Sequence, residues 1–202
     1  MIDNLLEEYD EQNIFETVKE TDKGAPSWII RGIFTKAGVP NRNKRIYPVK
    51  VMNEAVEAIQ PMVASGSFVG QLNHPEGNPK TDLNLISHKF ISLKMMDDGS
   101  GRGIYECVPA GPNKHNLEQL LEDKIGFGIS TRATGKTHPY VGPLGEGLVE
   151  VENPLKLFAI DFVSNQSSKE ATVNPVFEEE ENKIRLGYTQ KLAEVWDSCF
   201  KR

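Results

Sequence analysis

The stretch from residue 125 to 135 constrains the fold more than any other part of the chain, because the spacing of its apolar residues changes there. A helix-like run over residues 116–124 gives way to an alternation of Phe127, Ile129 and Thr131 with Gly128, Ser130 and Arg132. Such an alternation predicts a strand with two different faces. Gly128 leaves space beside Ser130, and Arg132 shares that face, which suits a nucleophile next to an anion-stabilising group. The alternative is a solvated edge strand that carries the same polar residues.

The composition predicts a folded, acidic protein. Hydrophobic residues make up 38% and charged residues 26% of the 202 positions. This hydrophobic share is above the range of disordered chains. The net charge of -6 argues against attraction of the whole surface to nucleic acid or anionic lipid. No signal peptide or transmembrane run is recognisable, which predicts an intracellular protein. The two cysteines lie in unlike contexts, so a disulfide framework is not expected.

Local patterns predict an α+β domain. Strands are predicted at 28–36, 67–73, 85–95, 103–108 and 155–163, with helices from Pro48 to just before Gly66, over 113–125 and, briefly, over 2–10. The Asp-Asp-Gly-Ser-Gly sequence at 97–101 indicates a hairpin. No linker divides the chain before about residue 165. We therefore predict one domain over 1–165, with about 25 peripheral residues at its start, and a flexible acidic segment over 166–202 that ends in a short helix.

Three residues of the kinds found in catalytic triads lie on predicted strands or at their ends. Ser130 is the candidate nucleophile, His74 follows the strand at 67–73, and Asp161 is an acid within the apolar strand at 155–163. If Asp161 is buried, it requires a cationic or N–H partner. The sequence alone does not establish that the three residues meet, and a plain loop histidine and a solvent-facing acid remain the alternatives.

Other chemistries find less support in the sequence. The histidines, His74, His88, His115 and His138, form no His-x-x-x-His pair, and neither a Walker loop nor a Gly-x-Ser-x-Gly elbow is present. We therefore predict no metal and no cofactor. The basic loop at 41–45 fits a contact with phosphate or nucleic acid, or else a solvated loop whose arginines pair with carboxylates. The acidic charge of the chain favours the second interpretation.

Three separated motifs resemble, in order and spacing, those of the prohead maturation proteases of contractile-tailed bacteriophages. They are Asn41-Arg42-Asn43-Lys44-Arg45-Ile46-Tyr47-Pro48, Gly70-Gln71-Leu72-Asn73-His74-Pro75 and Gly128-Ile129-Ser130-Thr131-Arg132. The members of that family are serine proteases related in fold to the herpesvirus assemblins. The resemblance covers roughly residues 28–165. It implies an assemblin-like fold, a mostly antiparallel and barrel-like sheet flanked by helices.

The resemblance also implies the roles of individual residues. The histidine and serine of the family motifs fall on His74 and Ser130, and the acid in Ile-Asp-Phe-Val matches Asp161, with Glu76 as the reserve candidate. The backbone beside Ser130, at Thr131, and the side chain of Arg132 are expected to stabilise the oxyanion.

The implied function is serine endoproteolysis of scaffold or core proteins and capsid proteins, inside the prohead in the host cytoplasm. The protease is also expected to cut itself, after a glutamate that follows Leu or Ile by two positions, as in Ile14-Phe15-Glu16 and Leu192-Ala193-Glu194. No membrane or nucleic-acid partner is implied, and association into a homo-oligomer is left open. The alternative function is a non-catalytic head-assembly protein that binds capsid partners or DNA through the loop at 41–45.

Overall fold

A computed structural model describes residues 4–9, 16–22, 25–41, 43–75 and 80–164, with only the backbone described up to residue 27. Its strands are β1 (Asn4–Tyr9), β2 (Glu16–Asp22), β3 (Ala25–Lys36), β4 (Arg45–Ile46), β5 (Val69–Gln71), β6 (Ile86–Met95), β7 (Arg102–Pro109), β8 (Gly128–Gly135), β9 (Thr137–Val141), β10 (Gly147–Val151) and β11 (Lys156–Val163). Its helices are α1 (Val49–Ala64) and α2 (Lys114–Glu122).

The described strands form three sheets, in the orders β2-β3-β7-β6-β5, β1-β8-β11 and β4-β10-β9. Every ladder in these sheets is antiparallel except the one between β4 and β10. The predicted α+β class with a mostly antiparallel sheet is therefore confirmed. The sheets are not closed into a barrel within the described residues.

Helix α1 forms where the sequence predicts it and covers the core. Pro48 stands at its N-cap, and the carbonyl of Pro48 accepts the first helical bond, from Met52 N at 3.0 Å. The buried positions follow the helical repeat and comprise Val51, Met52, Ala55, Val56, Ile59 and Val63. This face packs against β6 and β11. The helix thus spans the two sheets that meet beneath it.

The predicted hairpin is present between β6 and β7. Gly99 and Gly101 have φ values of 73° and 72°, which only glycine adopts easily. Ser100 N donates to Asp98 Oδ1 at 2.9 Å, and the hydrogen bonds from Ser100 lower the pKa of Asp98 below its usual value. The turn therefore carries the chemistry expected of its Asp-Gly signal.

One expectation from the sequence is wrong, and one alternative interpretation is excluded. Residues 4–9 form strand β1 rather than part of a helix, and they pair with β8. Strand β8 is not a solvated edge, because it lies between β1 and β11 and is buried over nearly its whole length. The segment with Ser130 is therefore the central strand of its sheet. The predicted acidic segment and terminal helix after residue 165 lie outside the described residues.

Candidate active site

Strand register places Ser130 and Asp161 side by side. In the antiparallel ladder between β8 and β11, Asp161 is the direct partner of Ser130. Arg132 lies two residues further along β8 and so shares a face with Ser130. Ser130, Arg132 and Asp161 are each 0% exposed. The three side chains therefore belong to one rigid ladder in the interior.

His74 reaches this group from the five-stranded sheet. It follows the end of β5, and between β5 and β11 the described residues share one isolated bridge, Leu72 with Phe162. Asn73, just before the histidine, has a φ of 63°, and its N–H donates to Phe162 O at 2.6 Å. The turn at Asn73 directs the imidazole across the boundary between the two sheets.

The three predicted triad residues form a continuous chain of hydrogen bonds. His74 Nδ1 lies 2.7 Å from Asp161 Oδ2, and His74 Nε2 lies 2.5 Å from Ser130 Oγ. An ionised carboxylate only accepts, so Nδ1 carries the hydrogen of the neutral imidazole. Nε2 then accepts the hydroxyl hydrogen of Ser130. This tautomer leaves a base in contact with the serine oxygen.

Asp161 has the buried partners that its position in an apolar strand requires. Gln71 N donates to Oδ1 at 3.0 Å, and Arg132 binds both carboxylate oxygens, with Nε at 2.5 Å from Oδ2 and Nη2 at 3.1 Å from Oδ1. Such paired donors offset the desolvation of a buried charge and fix the plane of the carboxylate. The expectation of a cationic or N–H partner for Asp161 is confirmed by these contacts.

The residues predicted to stabilise an oxyanion lie in different surroundings. Arg132 uses Nε and Nη2 to bind Asp161, and Nη2 also donates to Thr81 Oγ1 at 3.1 Å. Thr131 alternates to the other face of β8, where its buried Oγ1 has no hydrogen-bond partner among the described residues. The Thr131 side chain therefore does not share the face of Ser130. Glu76, the reserve acid, lies outside the described residues.

A second histidine, which the sequence analysis did not single out, is packed behind Asp161. His88 Nε2 lies 3.0 Å from Ile160 O and its Nδ1 lies 2.9 Å from Ser87 Oγ. Complete burial lowers the pKa of His88 from 6.5 to about 4, against the opposing effects of the Asp161 charge and of the bond to the Ile160 carbonyl. His88 is therefore neutral near pH 7, and its Nε2–H donates to the strand that carries Asp161.

Close packing at this point requires a glycine at position 70. Gly70 pairs with His88 in the β5–β6 ladder, and a Cβ on Gly70 would collide with both Ile160 O and the His88 ring. A signal for His88 was present in the sequence, since it lies two residues before Phe90 in a predicted strand and so shares the apolar face with it. Gln71 binds Asp161 through its backbone, and Thr81 lies outside the helices and strands, so neither contact with the site had such a signal.

Neither described helix has the length and apolar character that a bilayer crossing needs.

Within the described part of the chain, no group of three or more His, Cys, Asp or Glu side chains is arranged to hold a metal ion.

Comparisons with known proteins identify relatives of this chain. Residues 6–182 match the family described as prohead core protein serine protease. The chain is 30% identical over 156 residues to the prohead core protein protease of Enterobacteria phage T4, covering 74% of this chain and 69% of that protein. The fold is similar to that of the bacteriophage T4 capsid assembly protease, with a TM-score of 0.69 at 24% identity over 80% of this chain and 98% of the other. The chain belongs to the prohead core protein serine protease family and is a prohead protease of the contractile-tailed phage kind.

Proposed function

We propose that the protein is a serine endopeptidase that cleaves scaffold or core proteins and capsid proteins inside the prohead, and that it also cuts itself. The observation that carries the proposal is the chain of hydrogen bonds from Ser130 through His74 to Asp161. Membership of the prohead protease family supplies the setting. Kinship with the herpesvirus assemblins, which the sequence motifs imply, is part of the same proposal.

In the proposed acylation step, Ser130 Oγ attacks the carbonyl carbon of the scissile peptide bond. His74 Nε2 takes the hydroxyl proton as the C–O bond forms, and Asp161 stabilises the resulting imidazolium without taking a proton itself. The tetrahedral intermediate collapses when His74 gives that proton to the leaving amine, which breaks the C–N bond. Water then repeats the sequence on the acyl-enzyme, with His74 again as the base, and releases the acid.

Two groups are proposed to support this chemistry from β8. The backbone N–H at Thr131 is the candidate donor to the oxyanion, because it directly follows the proposed nucleophile in the chain. The contacts of Arg132 with Asp161 favour a role in holding the carboxylate towards His74. The alternative for Arg132 is a direct contact with the oxyanion.

The place of strand β1 beside the nucleophile supports self-cleavage. Ser130 is 0% exposed and the His74 side chain 9% exposed in this arrangement. Strand β1 lies along β8 with Tyr9 opposite Ser130, which keeps the N-terminal part of the chain beside the nucleophile. Glu16 is the first residue of β2, and Glu194 lies outside the described residues. The Leu-x-Glu sequences of β1 itself, Leu5-Leu6-Glu7 and Leu6-Glu7-Glu8, are therefore further candidate cleavage points.

The alternative function is a non-catalytic assembly protein that uses the loop at 41–45. The structure ties this loop into the small sheet, because Asn41 Oδ1 accepts from Arg45 N at 2.9 Å and Lys44 O accepts from Val149 N at 2.8 Å. An assembly protein would have no use for a serine hydroxyl aligned on a buried imidazole. The intact geometry around His74 therefore favours the peptidase.

Co-expression with the scaffold protein of the same phage, followed by mass spectrometry of all new termini, tests the proposal. We expect cuts after glutamates that follow Leu or Ile by two positions, in the scaffold protein and near the ends of the protease. The Ser130→Ala variant serves as the control and should give none of them. Intact scaffold protein beside wild-type protease would contradict the enzymatic function, and cuts that persist in Ser130→Ala would contradict the role of the serine.

A further inference from the structure

We propose that Asn73 is a positioning residue that holds His74 across the boundary between the two sheets. The inference rests on the proposed function, in which His74 is the base for Ser130. Asn73 N donates to Phe162 O at 2.6 Å, and its Oδ1 accepts from both the N and the Oγ of Ser164 at 3.1 Å. One residue thus binds β11 and the position just beyond it, directly after Asp161.

These bonds matter because the boundary has little backbone pairing. Strands β5 and β11 belong to different sheets, and the bridge between Leu72 and Phe162 is isolated from any ladder. A ladder fixes each residue through several neighbouring bonds, whereas an isolated bridge leaves the chain free to pivot. The bonds of Asn73 to residues 162 and 164 restrain that pivot, one residue away from His74.

The backbone conformation of Asn73 is the second feature that positions His74. Its φ of 63° lies in the left-handed region, which Gly, Asn and Asp visit readily and other residues avoid. Gln71 Nε2 donates to Asn73 O at 3.2 Å, and this hydrogen bond stabilises the turn. A residue that resists this conformation would open the turn and withdraw the imidazole from Asp161 and Ser130.

The competing explanation is that Asn73 only stabilises a surface turn. Three substitutions separate the two roles, and the exposure of Asn73 lets the core tolerate them. Asn73→Asp keeps both the acceptor oxygen and the tolerance of the left-handed region. Asn73→Gly keeps only the backbone freedom, and Asn73→Ala keeps neither. Asn113→Ala is the matched control, because Asn113 also makes two side-chain hydrogen bonds, with Asn84 O and Asn116, away from His74.

The experiment uses the full-length protein and two readouts besides the melting temperature. The first is the downfield proton NMR signal of His74 Nδ1–H, assigned by its loss in His74→Ala, which requires no turnover. The second is the rate at which a fluorophosphonate labels Ser130, where the serine oxygen bonds to phosphorus, fluoride leaves and His74 takes the proton. The label needs no knowledge of the natural substrate.

We expect Asn73→Ala to lose or shift the His74 signal and to slow labelling on the order of 10²-fold, as misplaced catalytic groups do. Asn73→Gly should lie between Asn73→Ala and wild type, and Asn73→Asp should keep the signal and most of the rate. Asn113→Ala should lower the melting temperature without changing either readout. An unchanged signal in Asn73→Ala, or equal losses in Asn73→Asp and Asn73→Ala, would overturn the inference. If the wild type keeps the signal but is never labelled, the peptidase function fails while the NMR comparison still decides the role of Asn73.

Discussion

Strand register places Ser130, Arg132 and Asp161 within the sheet β1-β8-β11, whereas His74 reaches them through a turn at the end of the five-stranded sheet. The ladder positions its residues by repeated backbone bonds. The turn depends on an isolated bridge and on a few side-chain bonds. The proposed nucleophile and acid are thus held rigidly together, and the proposed base is held by contacts that single substitutions can remove.

Substitutions in the two regions are therefore expected to impair the site in different ways. A change within the β8–β11 ladder removes a chemical group but leaves the geometry of the remaining groups in place. A change at the boundary between the sheets leaves every chemical group present but alters the distance between His74 and its partners. Substitutions of the first kind test the chemistry, and those of the second kind test the geometry.

The largest effects are expected from the two groups that exchange the proton. Ser130→Ala and His74→Ala should each lower the cleavage rate on the order of 10⁴-fold or more, with the fold retained. The double variant should be no slower than either single variant, because the two residues act as one unit. Steady-state kinetics on a peptide with a Leu-x-Glu site measures all three. A double variant far slower than both singles would mean that the two residues act independently.

The sequence predicted the parts of this site better than their assembly. Pro48 and the Asp-Gly turn carry local signals, so α1 and the β6–β7 hairpin could be predicted from nearby residues. The pairing of Ser130 with Asp161 depends on register between strands far apart in the chain, and no local pattern specifies it. Family motifs supplied that information instead.

Strand β1 shows why the local signal failed elsewhere. The short run Asn4–Tyr9 contains both apolar and acidic residues at spacings that fit a helix turn as well as a strand. Its pairing with β8 makes the segment a strand, because tertiary pairing routinely overrides weak local propensity. The turn at Asn73 could not be predicted either, because asparagine adopts several backbone conformations and its presence does not indicate the left-handed one.

Replacing the proposed acid separates Asp161 from its reserve candidate. Asp161→Asn should lower the rate by up to about 10⁴-fold, since the imidazole loses its correct tautomer and the stabilisation of its charge. It should also cost about 3–5 kcal/mol of stability, because Arg132 would remain buried without a charged partner. Glu76→Gln is the control and should cleave at a near-normal rate. The reverse pattern would assign the third role to Glu76.

Arg132→Lys distinguishes the two roles proposed for the arginine. A lysine cannot bind both oxygens of Asp161, so we expect kcat to fall by roughly 10² with KM little changed. If the arginine orients the carboxylate, the NMR signal of His74 Nδ1–H should shift in the free enzyme. If it instead contacts the oxyanion, kcat should fall while that signal stays in place. An effect on KM alone would reassign Arg132 to substrate binding.

Gly70→Ala disturbs the boundary without removing any chemical group. The added Cβ collides with Ile160 O and the His88 ring, so we expect a loss of about 1–3 kcal/mol in the free energy of unfolding. The rate should also fall, because Ile160 precedes Asp161 and its displacement moves the carboxylate. Gly147→Ala in β10 is the matched control, since a Cβ there meets no atom within 4 Å. Equal rates in the two variants would show that the boundary tolerates displacement.

The pH dependence of stability provides the mildest test of the same boundary. Because the pKa of His88 is about 4 in the folded protein and 6.5 as its ordinary value, the unfolded chain binds more protons between these limits. The free energy of unfolding must then fall as the pH drops from about 6.5 towards 4. The full contribution of about 3 kcal/mol is present above pH 6.5, and about 2 kcal/mol of it is lost by pH 5.

The variant His88→Gln isolates this contribution, because a glutamine amide can still donate to Ile160 O but does not titrate. Urea unfolding at about pH 7 and pH 5 should show wild type losing about 2 kcal/mol more than His88→Gln over that interval. Exposed groups titrate alike in both proteins and cancel from the difference. Equal losses would mean that His88 is already solvated in the folded state.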